Sequence, residues 1–141
     1  MATSPDQSAY FNGYYNKSPG LGSVGSYQVA GSPFLTGSEV LAGQEVQIDF
    51  PTTTKSITII NKDASGNDAI RVHFASQASA IANSNFITLD MKNSSVTLNV
   101  KAKTIWISNG TVLDSDFQLF AELTGISRDL MWTLAGPGIN A

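Results

Sequence analysis

From Ser26 onward, apolar and polar residues alternate in short runs, the period of half-buried strands. Ser26–Ala30 points Tyr27 and Val29 to one face. A turn at Gly31-Ser32-Pro33 then leads to a brief resumption at Phe34-Leu35. Val46–Phe50 alternates cleanly until Pro51, which has no N–H to give a ladder. Ser56–Ile59 and Ile70–Phe74 flank a loop containing Asp63, Ser65, Gly66, Asn67 and Asp68, all turn formers, so Lys55–Phe74 is predicted to be a β-hairpin. Its Ile57, Ile59, Ile70, Val72 and Phe74 form one wall of the core, with Arg71 and His73 pointing outward. Strand character returns at Phe86–Leu89 and Val96–Val100, and again at Ile105–Ile107, taken as the partner of Val96–Val100 across the Lys101-Ala102-Lys103 turn. Asn109-Gly110 ends that strand with a dipeptide suited to positive backbone angles. Phe117–Leu123 puts Phe117, Leu119, Ala121 and Leu123 on one face and leaves Phe120 on the outer one. Two helical turns are expected, one around Gln77–Ile81 and one capped by Ser127.

About eight short strands with almost no helix predict an all-β fold: an antiparallel, jelly-roll-like β-sandwich, with an immunoglobulin-like sandwich as the rival. Three segments follow. Residues 1–25 form an extended N-terminal arm, 26–126 the sandwich, and 127–141 a short C-terminal tail. The arm has no periodicity, yet it carries Tyr10, Phe11, Tyr14 and Tyr15, and exposed rings at this density suit docking on a neighbour or on the chain's own sheet. Leu130, Met131, Trp132 and Leu134 are too apolar to be left wet, so the tail should pack on the domain or a neighbour.

Composition narrows the function. The 141 residues contain no cysteine and one histidine, which excludes disulfides, thiolate metal sites and multi-histidine centres. Charged residues are only 13% of the chain, against roughly a quarter in ordinary domains. Eleven acidic and eight basic residues give a net charge of −3, so a basic footprint for nucleic acid is missing. No secretory signal is evident, and no run of roughly 18 apolar residues suggests a membrane span.

Each candidate for chemistry has a simpler reading. His73 lacks a nucleophile and an orienting group in the sequence, which favours a structural or interface role. The Asp63–Asp68 loop collects oxygen ligands but does not follow the calcium-loop pattern, and its residues are those a turn needs. Asp114 and Asp116 are read in the same way. Two carboxylates across a cleft, as a glycosidase needs, are not visible. Asn93-Ser94-Ser95 and Asn109-Gly110-Thr111 fit turns as well as glycosylation sites, and Gly20–Gly25 lacks the flanking strand and helix of a phosphate cradle. No catalytic, cofactor-binding or metal-binding residue is expected, and the chain is not expected to be an enzyme. The candidate interface residues are Tyr10, Phe11, Tyr14, Tyr15, Arg71, His73, Phe120 and Trp132.

The segments Val24–Val29, Ser56–Asn61, Ile70–Phe74, Lys103–Asn109 and Phe117–Ile126 together resemble small structural proteins of tailed double-stranded DNA phages, especially marine and cyanobacterial ones, that decorate or cement the capsid. The resemblance spans most of residues 24–126. It implies a β-sandwich subunit, often trimeric, made in the host cytoplasm and added late to the virion's capsid surface. There it would hold neighbouring copies of the major capsid protein together, with no cofactor and no direct contact to nucleic acid or membrane. The alternative is a carbohydrate-binding module, phage adhesin or head-fibre component in which Trp106 and Trp132 stack on sugars.

Overall fold

A computed structural model describes residues 20–22, 25, 31–64, 68–76 and 84–134. The strand expected at Ser26–Ala30, the turn at Gln77–Ile81 and the arm residues Tyr10, Phe11, Tyr14 and Tyr15 lie outside them. The described strands are β1 (Ser32–Val40), β2 (Glu45–Asp49), β3 (Thr52–Asn61), β4 (Ile70–His73), β5 (Ile87–Leu89), β6 (Ser95–Leu98), β7 (Thr104–Ser108) and β8 (Ser115–Ser127). A 3₁₀ turn follows at Arg128–Leu130, and the Ser127 side chain accepts a hydrogen bond from the Asp129 N–H, as the sequence predicted.

The strands form two four-stranded sheets, ordered β1-β8-β3-β6 and β2-β7-β4-β5. Every pairing is antiparallel. Eight strands dealt between two sheets in this order make a jelly roll, so the expected fold class is correct. Most successive strands alternate between sheets, and β4 with β5 is the one sequential pair that hydrogen-bonds directly among the described strands.

That dealing corrects two local readings. Lys55–Phe74 is not a hairpin: β3 belongs to the first sheet and β4 to the second, so the Asp63–Asp68 segment carries the chain across the sandwich. In the same way, Val96–Val100 and Ile105–Ile107 are not partners, since β6 pairs with β3 and β7 pairs with β2 and β4. Alternation fixes which face of a strand is buried but not which strand lies beside it.

β1 runs continuously through Pro33, where a turn was expected. The edge position explains the tolerance, because β1 pairs only with β8 and one side of its backbone owes no ladder bond. β8 is the longest strand, with 13 residues, and lies between β1 and β3. Its register with β3 shifts around Thr54, where the Thr54 hydroxyl donates to the Val100 carbonyl and accepts from the Ala102 N–H.

The core is filled by Ile57, Ile59, Phe117, Leu119 and Ala121 from one sheet and by Ile48, Ile70, Val72, Leu89, Ile105 and Ile107 from the other. Phe34 and Phe50 meet edge-to-face, with centroids 5.3 Å apart, a favoured aromatic geometry.

Two buried asparagines tie the sheets at their ends. Asn61, at the end of β3, donates to the carbonyls of Asp68 and Leu89 and accepts from the Asp63 N–H. Asn109, just past β7, donates to the carbonyls of Val40 and Leu113 and accepts from the Thr111 N–H and hydroxyl. Each amide replaces backbone partners that the crossing chain cannot supply. Asn109-Gly110 is therefore no positive-φ turn; among described non-glycine residues that conformation occurs at Ser84 and Asn93.

Candidate functional site

The outer face of the β2-β7-β4-β5 sheet carries the chain's densest set of functional groups among the described residues. Register places Gln47, Trp106 and His73 in one row across three strands, with Asp49 opposite Thr104 in the next row. Residues 128–134 pack beside them. Without His73, which lies beneath the surface, these residues line a cleft of about 280 Å³ whose walls include Gln47, Asp49, Phe74, Trp106, Arg128 and Trp132.

The cleft's polar side converges on one carboxylate oxygen. Asp49 Oδ1 accepts from Gln47 Nε2 at 3.0 Å and from the Thr104 hydroxyl at 2.8 Å, and lies 3.6 Å from Arg128 Nη2. The Gln47 and Thr104 hydrogen bonds hold the Asp49 carboxyl below the usual carboxylate range against the opposing effect of burial, with a lesser contribution from the Arg128 charge. Arg128 is held in turn by Nη1 donating to the Phe50 carbonyl at 2.7 Å. The apolar side is made by Phe74, Trp106, Met131 and Trp132. Met131 is buried, whereas Trp132 keeps 49% of its surface exposed.

His73 is not an outward interface residue, and this corrects the expectation. Alternation put it on the correct side of β4, but it is 0% exposed. The side of a sheet is not the same as contact with solvent. Nδ1 lies 2.6 Å from the Ala75 carbonyl oxygen and Nε2 lies 2.8 Å from Ser108 Oγ. A carbonyl only accepts, so Nδ1 carries the proton and the Ser108 hydroxyl donates to Nε2. Burial lowers the ring's pKa, with the Ala75 hydrogen bond and Glu45 opposing and Arg71 reinforcing the shift. The structure thus supplies the hydroxyl, base and orienting group that sequence reading did not assemble. Ser108 is only 1% exposed, so the pair is sealed and acts as a crosslink between β4 and β7.

Arg71 is half-buried, with its guanidinium 5.0 Å from the centre of the Phe86 ring in a cation–π arrangement. It also presses on Gly110, where an added Cβ would sit 2.6 Å from the guanidinium carbon. Phe120 lies on the other sheet, 41% exposed. It stands opposite Leu35 on β1 and Thr58 on β3. The candidate residues Phe120 and Trp132 therefore belong to opposite faces of the molecule. Gln47, Asp49, Thr104, Ser108 and Arg128 were missed. The outward phase of β2 and β7 could have flagged Gln47, Asp49, Thr104 and Trp106, but only the β2–β7 pairing joins them.

At the ends of the Asp63–Asp68 segment, Asp63 Oδ2 accepts from the Asp68 N–H at 3.2 Å; residues 65–67 lie outside the described residues. Among the described residues, no group of three or more His, Asp or Glu side chains is placed to hold a metal ion. Among them, too, no helix is long and apolar enough to cross a membrane.

No family model matches the sequence, and no curated protein matches it. Among solved structures, the chain is similar to the cupin_2 domain of an XRE family transcriptional regulator from Enterobacter cloacae, with 10% identity over 64% of this chain and 80% of that one and a TM-score of 0.44. A double-stranded β-helix protein from Klebsiella pneumoniae aligns at 10% identity over 69% of this chain and 73% of that one, with a TM-score of 0.44. The polyketide cyclase RemF from Streptomyces resistomycificus aligns at 11% identity over 66% of this chain and 56% of that one, with a TM-score of 0.41. These likenesses concern the double-sheet fold alone. The expectation that the chain is not an enzyme is withdrawn on other ground: it rested on His73 lacking a hydroxyl and an orienting group, and Ser108 and the Ala75 carbonyl occupy those positions.

Proposed function

We propose that the chain is a virion structural protein, a capsid decoration or cement protein that binds the assembled shell and stabilises contacts between neighbouring capsid subunits. The observation that carries this reading is the exposed apolar pair Leu35 and Phe120, in direct register on the outer face of the β1-β8-β3-β6 sheet. Leu35 is 76% exposed, and Thr58, Thr97, Gly37 and Gln118 around the pair are uncharged, while Glu122, the next outward residue on β8, accepts a hydrogen bond from Ser56 Oγ. A shallow depression lined by Leu35, Thr36, Gly37 and Gln118 lies beside the pair. An apolar, charge-poor patch on a stiff sheet suits adhesion by area, since interface cores are depleted in charge. The likeness of residues 24–126 to phage decoration proteins supports the shell as the partner, with sister subunits in a homotrimer. Sedimentation with purified capsids assembled without this chain tests the reading. The wild-type chain should pellet with shells and Phe120→Asp should remain in the supernatant. Equal pelleting of both, or of neither, would reject it.

A further inference from the structure

We infer that the cleft between Trp106 and Trp132 is a saccharide-binding site that takes a single sugar ring. It lies on the sheet opposite the Leu35–Phe120 patch, so it stands independently of shell binding. Three features specify the ligand class. The first is the pairing of two indoles and Phe74 with a hydrogen-bonding cluster inside one small cleft. A sugar ring has the same division, with C–H faces that lie on aromatic rings and hydroxyls around its edge. The second is the state of that cluster. Asp49 is held ionised, and among the described residues its partners all meet Oδ1, which leaves Oδ2 to accept from a ligand hydroxyl. Gln47 spends its Nε2 on Asp49 and keeps its carbonyl oxygen as a second acceptor. The polar groups are thus held in place by one another before any ligand arrives, which lowers the ordering cost of binding.

The third feature is size and charge. A volume of about 280 Å³ lies at the small end of the roughly 300–1,000 Å³ of ligand sites, which suits one ring better than an extended chain. A purely apolar ligand would strip water from Asp49 and Arg128 without replacing their hydrogen bonds, a costly exchange. Lys103 at the rim adds a positive charge beyond the Asp49–Arg128 pair, so an acidic sugar should bind more tightly than its neutral counterpart.

The test is tryptophan-fluorescence titration of the full chain with methyl glucoside, methyl galactoside, methyl mannoside, methyl N-acetylglucosaminide and glucuronate, and with the uncharged apolar dye N-phenyl-1-naphthylamine. Saturable binding of at least one sugar is expected at the weak, ~1 mM end of the affinity scale. Glucuronate should bind most tightly. Trp132→Ala, at an exposed position, should weaken binding about tenfold with an unchanged melting curve. Asp49→Asn, which puts an NH2 donor where Oδ2 accepted, should weaken the neutral sugars, whereas glucuronate regains part of that loss because a negative charge leaves the site. No saturable sugar binding, sugar binding that Trp132→Ala leaves intact, or binding of the dye alone would each overturn the inference.

Discussion

The two sheets share one core but present opposite surfaces. The outer face of β1-β8-β3-β6 is crossed by the exposed Leu35–Phe120 pair, with Thr58 and Thr97 hydroxyls 3.0 Å apart beside it, and carries its charge at Glu39, Asp116 and Glu122 along β1 and β8. The outer face of β2-β7-β4-β5 is indented and chemically dense, with the Trp106–Trp132 cleft, the Asp49–Arg128 pair and the sealed His73–Ser108 bond. The strands themselves have the same alternating pattern. The difference comes from what the second sheet faces: residues 128–134 lie against it, so Asp49 gains Arg128 as a partner and Trp106 shares its cleft with Trp132. An open face is suited to contact by area, while an indented one with converging donors and acceptors is suited to a small ligand.

The largest effects should come from cutting the ties between the sheets. Asn61→Ala would remove the amide's bonds to the carbonyls of Asp68 and Leu89 and to the Asp63 N–H, and Asn109→Ala would remove those to the Val40 carbonyl and the Thr111 N–H, while the Leu113 carbonyl keeps the Thr111 hydroxyl. At about 1–3 kcal/mol for each buried group left without a partner, either variant should lose about 3 kcal/mol in urea unfolding. A loss below about 0.5 kcal/mol would show that the ends of the sandwich are not joined in this way.

Glycine substitutions compare the sheets more finely. An alanine Cβ at Gly37 would lie 2.9 Å from the Phe117 carbonyl, so β1 itself must shift, whereas at Gly110 it would meet only the mobile end of Arg71. Gly37→Ala should therefore cost about 1–3 kcal/mol, as overpacking does, and Gly110→Ala clearly less. The reverse order in thermal melts would contradict the stated contacts.

A smaller effect, confined to the second sheet, is the pH response of His73. Its folded pKa lies below the ordinary 6.5 because burial disfavours the imidazolium. The unfolded chain therefore binds the proton more readily than the folded one. Stability from this residue is complete above about pH 6.5 and declines as the pH falls below it, continuing until the folded-state pKa is passed. In urea titrations between about pH 5 and 7.5, this decline should be present in the wild type and absent in a folded His73→Gln variant. An identical slope in both would place the titration elsewhere.

The fold class was legible because alternation is a local property: the runs at Val46–Phe50, Ser56–Ile59 and Phe117–Leu123 each predicted their own buried face, and β2, β3 and β8 carry those faces into the core. Pairing was not legible. A jelly roll passes successive strands across the sandwich, so Asp63–Asp68 and Lys101–Lys103, which look like hairpin turns, are crossings. The site suffered the same loss. Gln47 and Trp106 are 59 positions apart and become neighbours only through the β2–β7 register. The single histidine was correctly placed on the outer side of its strand, but Ser108 reaches it only through the β4–β7 pairing. Phe120 was read on the outer face of β8, and it remains exposed there.

The contrast between the faces is tested most directly by sedimenting Phe120→Asp and Trp132→Ala side by side with purified capsids that lack this chain. Both changes lie at exposed positions and should leave stability within about 0.5 kcal/mol of wild type. The account predicts that Trp132→Ala pellets with shells as the wild type does while Phe120→Asp stays in solution. Retention of shell binding by Phe120→Asp, with its loss in Trp132→Ala, would contradict it.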